Sequence, residues 1–253
     1  MKRMSLYDNP KYYEIAFSFR NIPAEVNFFE AAVKKFSKIK VRKVLELASG
    51  NSPYLKEWHR RGYEYFGLDL NGRMLDFVKA RAKEGGIGVK LFRANMNKFS
   101  LGKLKVDLAY VLLGSLFAKS NEDFFQHLDC VGKTLRTGGL YILDGVVWFN
   151  LLGDNEQKWT ISKNGIKMKV SFRATIIDHT AQTFRDNVVL EISDHEVRKR
   201  IRSHELRKFY FPQEFVSLIK CHNQFEFLGY FNDFDLKKPA TVKGRQIAVL
   251  RKK

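Results

Sequence analysis

The sequence predicts an α/β fold: a mostly parallel sheet covered by helices on both faces, with an antiparallel β insertion in the second half of the chain. Three observations predict it. Short apolar runs, nearly continuous rather than alternating, recur at residues 44–48, 65–69, 89–93, 106–113 and 140–144, as strands buried on both faces require. Amphipathic stretches of helical period separate these runs. After Trp148 the patterning changes to period two, and no clear helix returns until Pro212.

Taken in order, residues 1–40 read as a helical lead-in or lid. Tyr12, Tyr13, Ile15, Ala16 and Phe19 recur at helical spacing, and Pro23 begins a second helix carrying Val26, Phe28, Phe29, Ala32, Val33 and Phe36. The first strand, Val44 to Ala48, ends in Ser49-Gly50-Asn51-Ser52-Pro53. There Pro53 suits a first helical turn and Asn51 or Ser52 its cap. The second strand ends at Asp69 and leads into a helix from Arg73 to Lys83, which Gly85-Gly86 breaks. The third and fourth strands follow at Val89–Arg93 and Val106–Leu113. A helix from about Glu122 to Leu135 then stops at Gly138-Gly139, ahead of the fifth strand.

Residues 151–211 read as an antiparallel insertion within a single domain spanning 1–253. Its strands are expected at 168–176, 183–192 and 195–210. Helix returns at Pro212–Ile219, and two last strands at 226–231 and 246–250 complete a seven-stranded sheet.

Gly50 lies in the turn after the first strand, 19 residues before Asp69 at the end of the second. A turn free of bulky side chains lets a ligand approach the backbone and a helix N-terminus. An acid about 20 residues further on can accept hydrogen bonds from a ribose. A dinucleotide fits poorly, because its fingerprint needs glycine where Ala48 and Pro53 stand.

Five motifs resemble those of the class I S-adenosylmethionine-dependent methyltransferases. They are Val44-Leu45-Glu46-Leu47-Ala48-Ser49-Gly50-Asn51-Ser52, Gly67-Leu68-Asp69-Leu70-Asn71-Gly72-Arg73-Met74-Leu75, Ala94-Asn95-Met96-Asn97-Lys98-Phe99, Leu112-Leu113-Gly114-Ser115-Leu116 and Leu135-Arg136-Thr137-Gly138-Gly139. The chain is most similar to small-molecule members that methylate glycine or sugar amines, which also carry an antiparallel insertion after the fifth strand.

The resemblance implies a Rossmann-like fold, S-adenosylmethionine as cofactor and S-adenosylhomocysteine as product. It places Gly50 under the methionine portion, with Glu46, Ala48 and Ser49 beside it, and Asp69 on both ribose hydroxyls. Leu70 and Met96 would pack on the adenine faces, and Asn95 would meet its polar edge. Leu113 and Gly114 would lie near the methylthio end. Tyr13 and Arg20 would close over the cofactor, with Arg20 near its carboxylate. Two positions depart from the family pattern: Ser52 stands where a glycine is usual, and Asn95 where an aspartate is usual. Read alone, Glu46 also fits a strand-end acid paired to a surface lysine, Asp69 a helix cap, and Met96 a core residue.

Methyl transfer from a sulfonium needs alignment more than acid–base chemistry, and no triad, metal cluster or carboxylate pair stands out. A hydroxyl acceptor would want a base, for which His179, His195 and His204 are available on the insertion. The fourth-strand exit has no proline, unlike the polar-Pro-Pro-aromatic motif of enzymes acting on base amino groups. An apolar mouth lined by Phe117 and Trp148, with Tyr13 and Phe149, suits a small acceptor, and the same aromatics also fit a core.

The formal net charge of +18, from 45 cationic and 27 anionic side chains, attracts anions generally. The rival reading is therefore an RNA or protein methyltransferase. Arg198, Arg200 and Arg202 fall on one strand face, with Lys199, Arg207 and Lys208 nearby, where they could hold an anionic substrate. A solvated strand face, or a lysine-rich surface suited to heat, explains the same charges. With two cysteines, no apolar run long enough to span a bilayer and no apolar stretch after Met1-Lys2-Arg3-Met4, the expected setting is the cytoplasm. A monomer or homodimer is expected.

Overall fold

The computed structural model describes residues 6–150 and 155–253. The first residues of the expected lead-in and of the expected insertion, 1–5 and 151–154, lie outside the described residues. A short 3-10 turn at Leu6–Asp8 precedes helices α1 (Pro10–Ala16) and α2 (Ile22–Phe36). Next come β1 (Lys43–Leu47), α3 (Leu55–Arg60), β2 (Glu64–Asp69), α4 (Gly72–Glu84), β3 (Lys90–Arg93), β4 (Val106–Val111), α5 (Asn121–Thr134) and β5 (Leu135–Asp144). Four long strands follow: β6 (Asn155–Lys163), β7 (Ile166–Asp178), β8 (Thr183–Asp194) and β9 (Val197–Lys208). The chain closes with α6 (Pro212–His222), β10 (Phe225–Asn232), β11 (Asp235–Pro239) and β12 (Gln246–Lys252).

The main sheet runs in the order β11-β10-β12-β5-β4-β1-β2-β3. Strands β1 to β5 pair in parallel, whereas β12 enters antiparallel to both β5 and β10. Seven of the eight strands are the expected ones. The eighth, β11, is a short edge strand turned back from β10 through Asp233 and Phe234, both at positive φ.

Alternate side chains of the sheet go to opposite faces, as the pleat dictates. Leu45, Leu47, Phe66, Leu68, Val111 and Leu143 pack with Phe124 and Leu128 of α5 and Phe215 and Ile219 of α6. Val44, Tyr65, Leu108, Tyr110 and Ile142 pack on the other face with Phe29 of α2, Trp58 of α3 and Val78 of α4. Burial on both faces is what produced the unbroken apolar runs.

The second sheet is a meander, β6-β7-β8-β9, inserted between β5 and α6. It holds one strand more than expected, because β6 is joined to β7 through Asn164 and Gly165, both at positive φ, as a tight hairpin requires. Its inner face is apolar: Ile166, Met168, Val170, Leu190, Ile192 and Ile201 pack against Leu6 and against Tyr12, Ile15 and Ala16 of α1. The indole of Trp159 donates to the Ala16 carbonyl at 2.8 Å.

Two local expectations change. Helix α3 begins at Leu55 behind Tyr54, not at Pro53: Ser52 sits at φ 44°, and Pro53 and Tyr54 form a turn ahead of the helix. Phe19 lies in the turn after α1 and is exposed, since that helix ends at Ala16.

Leu190 is fully buried between the second sheet and α1. Leu190→Ala should cost about 2–5 kcal/mol of stability, read as a lower midpoint in urea unfolding.

Candidate functional site

The site forms at the carboxyl ends of β1, β2 and β4, where a parallel sheet leaves its loops diverging. After β1 the backbone turns through three left-handed residues, Ala48 (φ 51°), Gly50 (φ 51°) and Ser52 (φ 44°). Two of them carry side chains in a conformation that favours glycine, which marks a strained turn. Ser52 gains some compensation, because its hydroxyl lies 2.9 Å from that of Tyr65. A side chain added at Gly50 would meet only the Ala48 carbonyl and the Tyr13 ring, both at 4.0 Å, so space lies open over this turn.

Asp69 stands beside the turn. Its carboxylate accepts the Gly50 amide at 2.7 Å and the Asn71 amide at 2.8 Å. Desolvation pushes its pKa up against these hydrogen bonds. A carboxylate accepts about four hydrogen bonds, so acceptor capacity remains for a ligand hydroxyl.

Two cavities meet here, sharing Tyr13, Ala48, Gly50 and Ser115. The smaller, about 180 Å³, is lined by Arg20, Glu46, Ser49, Asn51 and Leu113 among others. The larger, about 1170 Å³, runs past Asp69, Leu70, Asn95 and Met96 to Tyr7, Phe117 and Glu205. Of the residues singled out from sequence, Tyr13, Arg20, Glu46, Ala48, Ser49, Gly50, Asp69, Leu70, Asn95, Met96, Leu113 and Phe117 line one cavity or both.

Gly114 and Trp148 are not among the lining residues. The Gly114 carbonyl accepts a hydrogen bond from Arg207. Trp148 stacks on Phe209, with ring centroids 4.5 Å apart. His179, His195 and His204 line neither cavity, and all three are exposed. Arg207 and Lys208 do not join the exposed basic stripe: both are buried, one against Asp186 and the other against Glu214.

Arg20 reaches the smaller cavity already engaged. Its guanidinium donates to Glu25 at 2.8 Å and to the Tyr54 hydroxyl. Glu25 also pairs with Arg245 at 2.9 Å; Arg245 pairs with Asp144, and Asp144 accepts the Leu113 amide at 2.8 Å. This chain of charges holds Leu113 at φ 55° and so shapes the exit of β4.

Glu46 is the most perturbed acid of the site. It is buried, hydrogen-bonded by Tyr65 and Tyr110, and desolvation pushes its pKa up to about 8. No lysine pairs with it among the described residues, so it is not a strand-end ion pair. A buried carboxyl on the wall of this cavity is suited to an incoming ammonium group.

Several residues of the site carry no sequence signal. His127 of α5 is fully buried, with its pKa lowered to about 4 by desolvation. It is neutral at ordinary pH, with Nδ1 2.9 Å from the Met96 carbonyl and Nε2 2.6 Å from the Tyr141 hydroxyl. The carbonyl can only accept, so Nδ1 carries the proton. This bond positions Met96 as a cavity floor. Asn95 accepts the Asn97 amide at 2.9 Å, and Asn97 in turn donates to the Phe117 carbonyl at 2.8 Å. Tyr7 and Glu205 reach the cavity from the N-terminal turn and from β9, elements far apart in the chain.

A methyltransferase-domain family matches residues 44–139. No curated protein matches the chain. Among solved structures, an S-adenosylmethionine-dependent methyltransferase from Clostridium acetobutylicum is 17% identical, with 95% of each chain covered and a TM-score of 0.77. An amino pentose methyltransferase from Micromonospora echinaspora, CalS10, is 16% identical over 96% of this chain and 97% of its own, at 0.74. The sugar N-methyltransferase KedS8 from Streptoalloteichus is 16% identical over 95% of this chain and 93% of its own, also at 0.74. The chain thus has the fold of the class I methyltransferases, and its residues 44–139 match a methyltransferase-domain family.

Glu46 binds more protons in the folded chain than in the unfolded chain between about pH 4.5 and 8, so it lowers stability as pH rises through that window and the loss is complete above it. Glu46→Gln should therefore raise the ligand-free melting temperature at pH 8.5 and leave it nearly unchanged at pH 4.5. Differential scanning fluorimetry at the two pH values checks this.

Proposed function

We propose that the chain is an S-adenosylmethionine-dependent methyltransferase acting on a small molecule, with S-adenosylhomocysteine as its product. The observation that carries the proposal is the pair of cavities joined over the strained turn after β1, with Glu46 in one and Asp69 beside the other. The residues fit the cofactor. Glu46 suits its ammonium group, and the buried Ser49 hydroxyl has no partner among the described residues. Asp69 has acceptor capacity left for ribose, while Leu70 and Met96 bracket an adenine. Arg20 stands at the carboxylate end.

When bound, the cofactor supplies a methyl group on a positively charged sulfur, open to in-line displacement. Tyr13, Gly50 and Ser115, common to both cavities, are where the two reactants would meet. The protein's part is to hold that line and exclude water. No histidine lines either cavity, so the site favours an acceptor that needs no strong base, such as an amine. CalS10 is an amino pentose methyltransferase and KedS8 a sugar N-methyltransferase, which points the same way.

The chain works as one unit over 1–253, with 151–211 on the substrate side, as a monomer or homodimer in the cytoplasm. No helix among the described residues is long and apolar enough to cross a membrane.

A second reading, an RNA methyltransferase, draws on the outer face of the second sheet. There Arg198, Arg200 and Arg202 lie exposed, with Lys167 and Lys169 two strands away beyond Ser193 and Glu191. The cavity opens on the opposite, inner side of that sheet, which favours the small molecule.

Asp69→Ala should weaken S-adenosylhomocysteine binding by at least ~1.5 kcal/mol, the scale of a lost charge-assisted hydrogen bond; unchanged affinity in calorimetry contradicts the ribose assignment. Methyl label from the cofactor, offered a cell extract, should enter the low-molecular-mass fraction. Label confined to RNA would select the second reading.

A further inference from the structure

Strand β9 presents opposite chemistries on its two faces. Arg198, Arg200, Arg202 and His204 point outward and are exposed, whereas Glu205 and Arg207 lie toward the main sheet. In the register with β8, Glu205 stands directly opposite Asp186. Asp186 is buried, accepts the Glu205 amide at 2.8 Å and takes Arg207 as its ion-pair partner. Arg207 also donates to the Gly114 carbonyl and lies over the Phe117 ring, its guanidinium carbon 4.4 Å from the centroid. Arg207 is therefore committed to Asp186 and to the exit of β4.

That commitment leaves the Glu205 carboxylate, half-buried on the cavity wall, with no ion-pair or hydrogen-bond partner among the described residues. An unpartnered acid in a cavity is unusual in a chain with a net charge of +18. Its surroundings are aromatic. Tyr7, Tyr13 and Phe117 line the same cavity, and the rings of Tyr7 and Tyr13 are 5.9 Å apart. The acid sits near enough to Tyr7 to help raise that phenol's pKa, which desolvation raises most. A carboxylate beside aromatic faces selects an amine over a hydroxyl. The arrangement is anchored to the β4 exit by the Arg207 bond to Gly114, on the side where Ser115 joins the two cavities.

We propose that Glu205 is the acceptor-binding residue, taking a hydrogen bond from the N–H of an amino group on the methyl acceptor. The proposal rests on the methyltransferase reading above. The acceptor reacts as the neutral amine. Its nitrogen lone pair forms the new bond to the methyl carbon while the carbon–sulfur bond breaks, its electron pair staying on sulfur as a neutral thioether. One positive charge passes from sulfur to nitrogen, and the product is a methylammonium. Glu205 faces that charge where it arrives. The product gives up its proton to solvent after release, so no side chain need change protonation for turnover.

The test uses the full chain loaded with S-adenosylhomocysteine and two ring-shaped probes of matched size, cyclohexylamine and cyclohexanol, titrated by ligand-observed NMR. The amine should bind at least tenfold more tightly than the alcohol. Glu205→Gln should remove most of that preference while leaving the alcohol and the S-adenosylhomocysteine affinities within twofold of wild type. Equal binding of the two probes, binding of neither, or an amine preference that survives Glu205→Gln overturns the assignment. Retained S-adenosylhomocysteine binding in the variant shows that it is folded. Failure of the wild-type chain to bind S-adenosylhomocysteine would instead overturn the methyltransferase reading itself.

Discussion

The site is organised around one hydrogen bond, from the Gly50 amide to the Asp69 carboxylate at 2.7 Å. It ties the turn after β1 to the end of β2, so that two loops leaving adjacent parallel strands open a single crevice between them. The constraint propagates. Around the held Gly50, the chain passes through left-handed backbone at Ala48 and Ser52, and α3 begins at Leu55. Strain at such a turn persists only where neighbours over-determine it. Here they do: the Ser49 amide is bonded to the Leu68 carbonyl at 3.0 Å, and Ser52 to Tyr65.

The same logic holds on the far side of the crevice, with charge in place of backbone. Glu25, Arg245 and Asp144 form a buried chain that ends on the Leu113 amide. Arg207 and Asp186 form a second buried pair that ends on the Gly114 carbonyl. Removing one partner of either would strand a buried charge. Both therefore act as struts that set the β4 exit from opposite directions, one from α2 and the residue just before β12, the other from the antiparallel sheet. That sheet is thereby part of the site's frame. Its apolar face holds α1, which carries Tyr13 into the junction of the cavities.

The positive charge of the chain is divided by this architecture. Exposed cations lie on the outer face of the second sheet, with Arg200 pairing with Glu191 at 3.6 Å. Toward the cavity, Glu46 and Glu205 are acids without an ion pair among the described residues. The net charge governs encounters with anions at the surface. The interior of the crevice selects by a different rule, set by which carboxyl groups reach its wall.

The order of strands and helices, the insertion and the turn from Ser49 to Pro53 were all legible in the sequence. They depend on local periodicity and on backbone preferences that single residues express. Asp69, Gly50 and Met96 could be singled out because each belongs to a short motif whose parts are neighbours in the chain. The tertiary structure alone decided the rest. Arg207 and Arg202 are chemically alike and five positions apart, yet one is a buried strut and the other solvated; strand alternation separates their faces, but only packing shows which face is inside. His127 supports Met96 from 31 residues away, and Tyr7 meets Glu205 across nearly the whole chain. Such contacts are set by the folded arrangement of elements and leave no periodic trace in the segments that make them. The edge strand β11 was missed for a related reason: its short sequence, Asp235–Pro239, packs one apolar side chain, Leu236, and so carries no hydrophobic alternation to read.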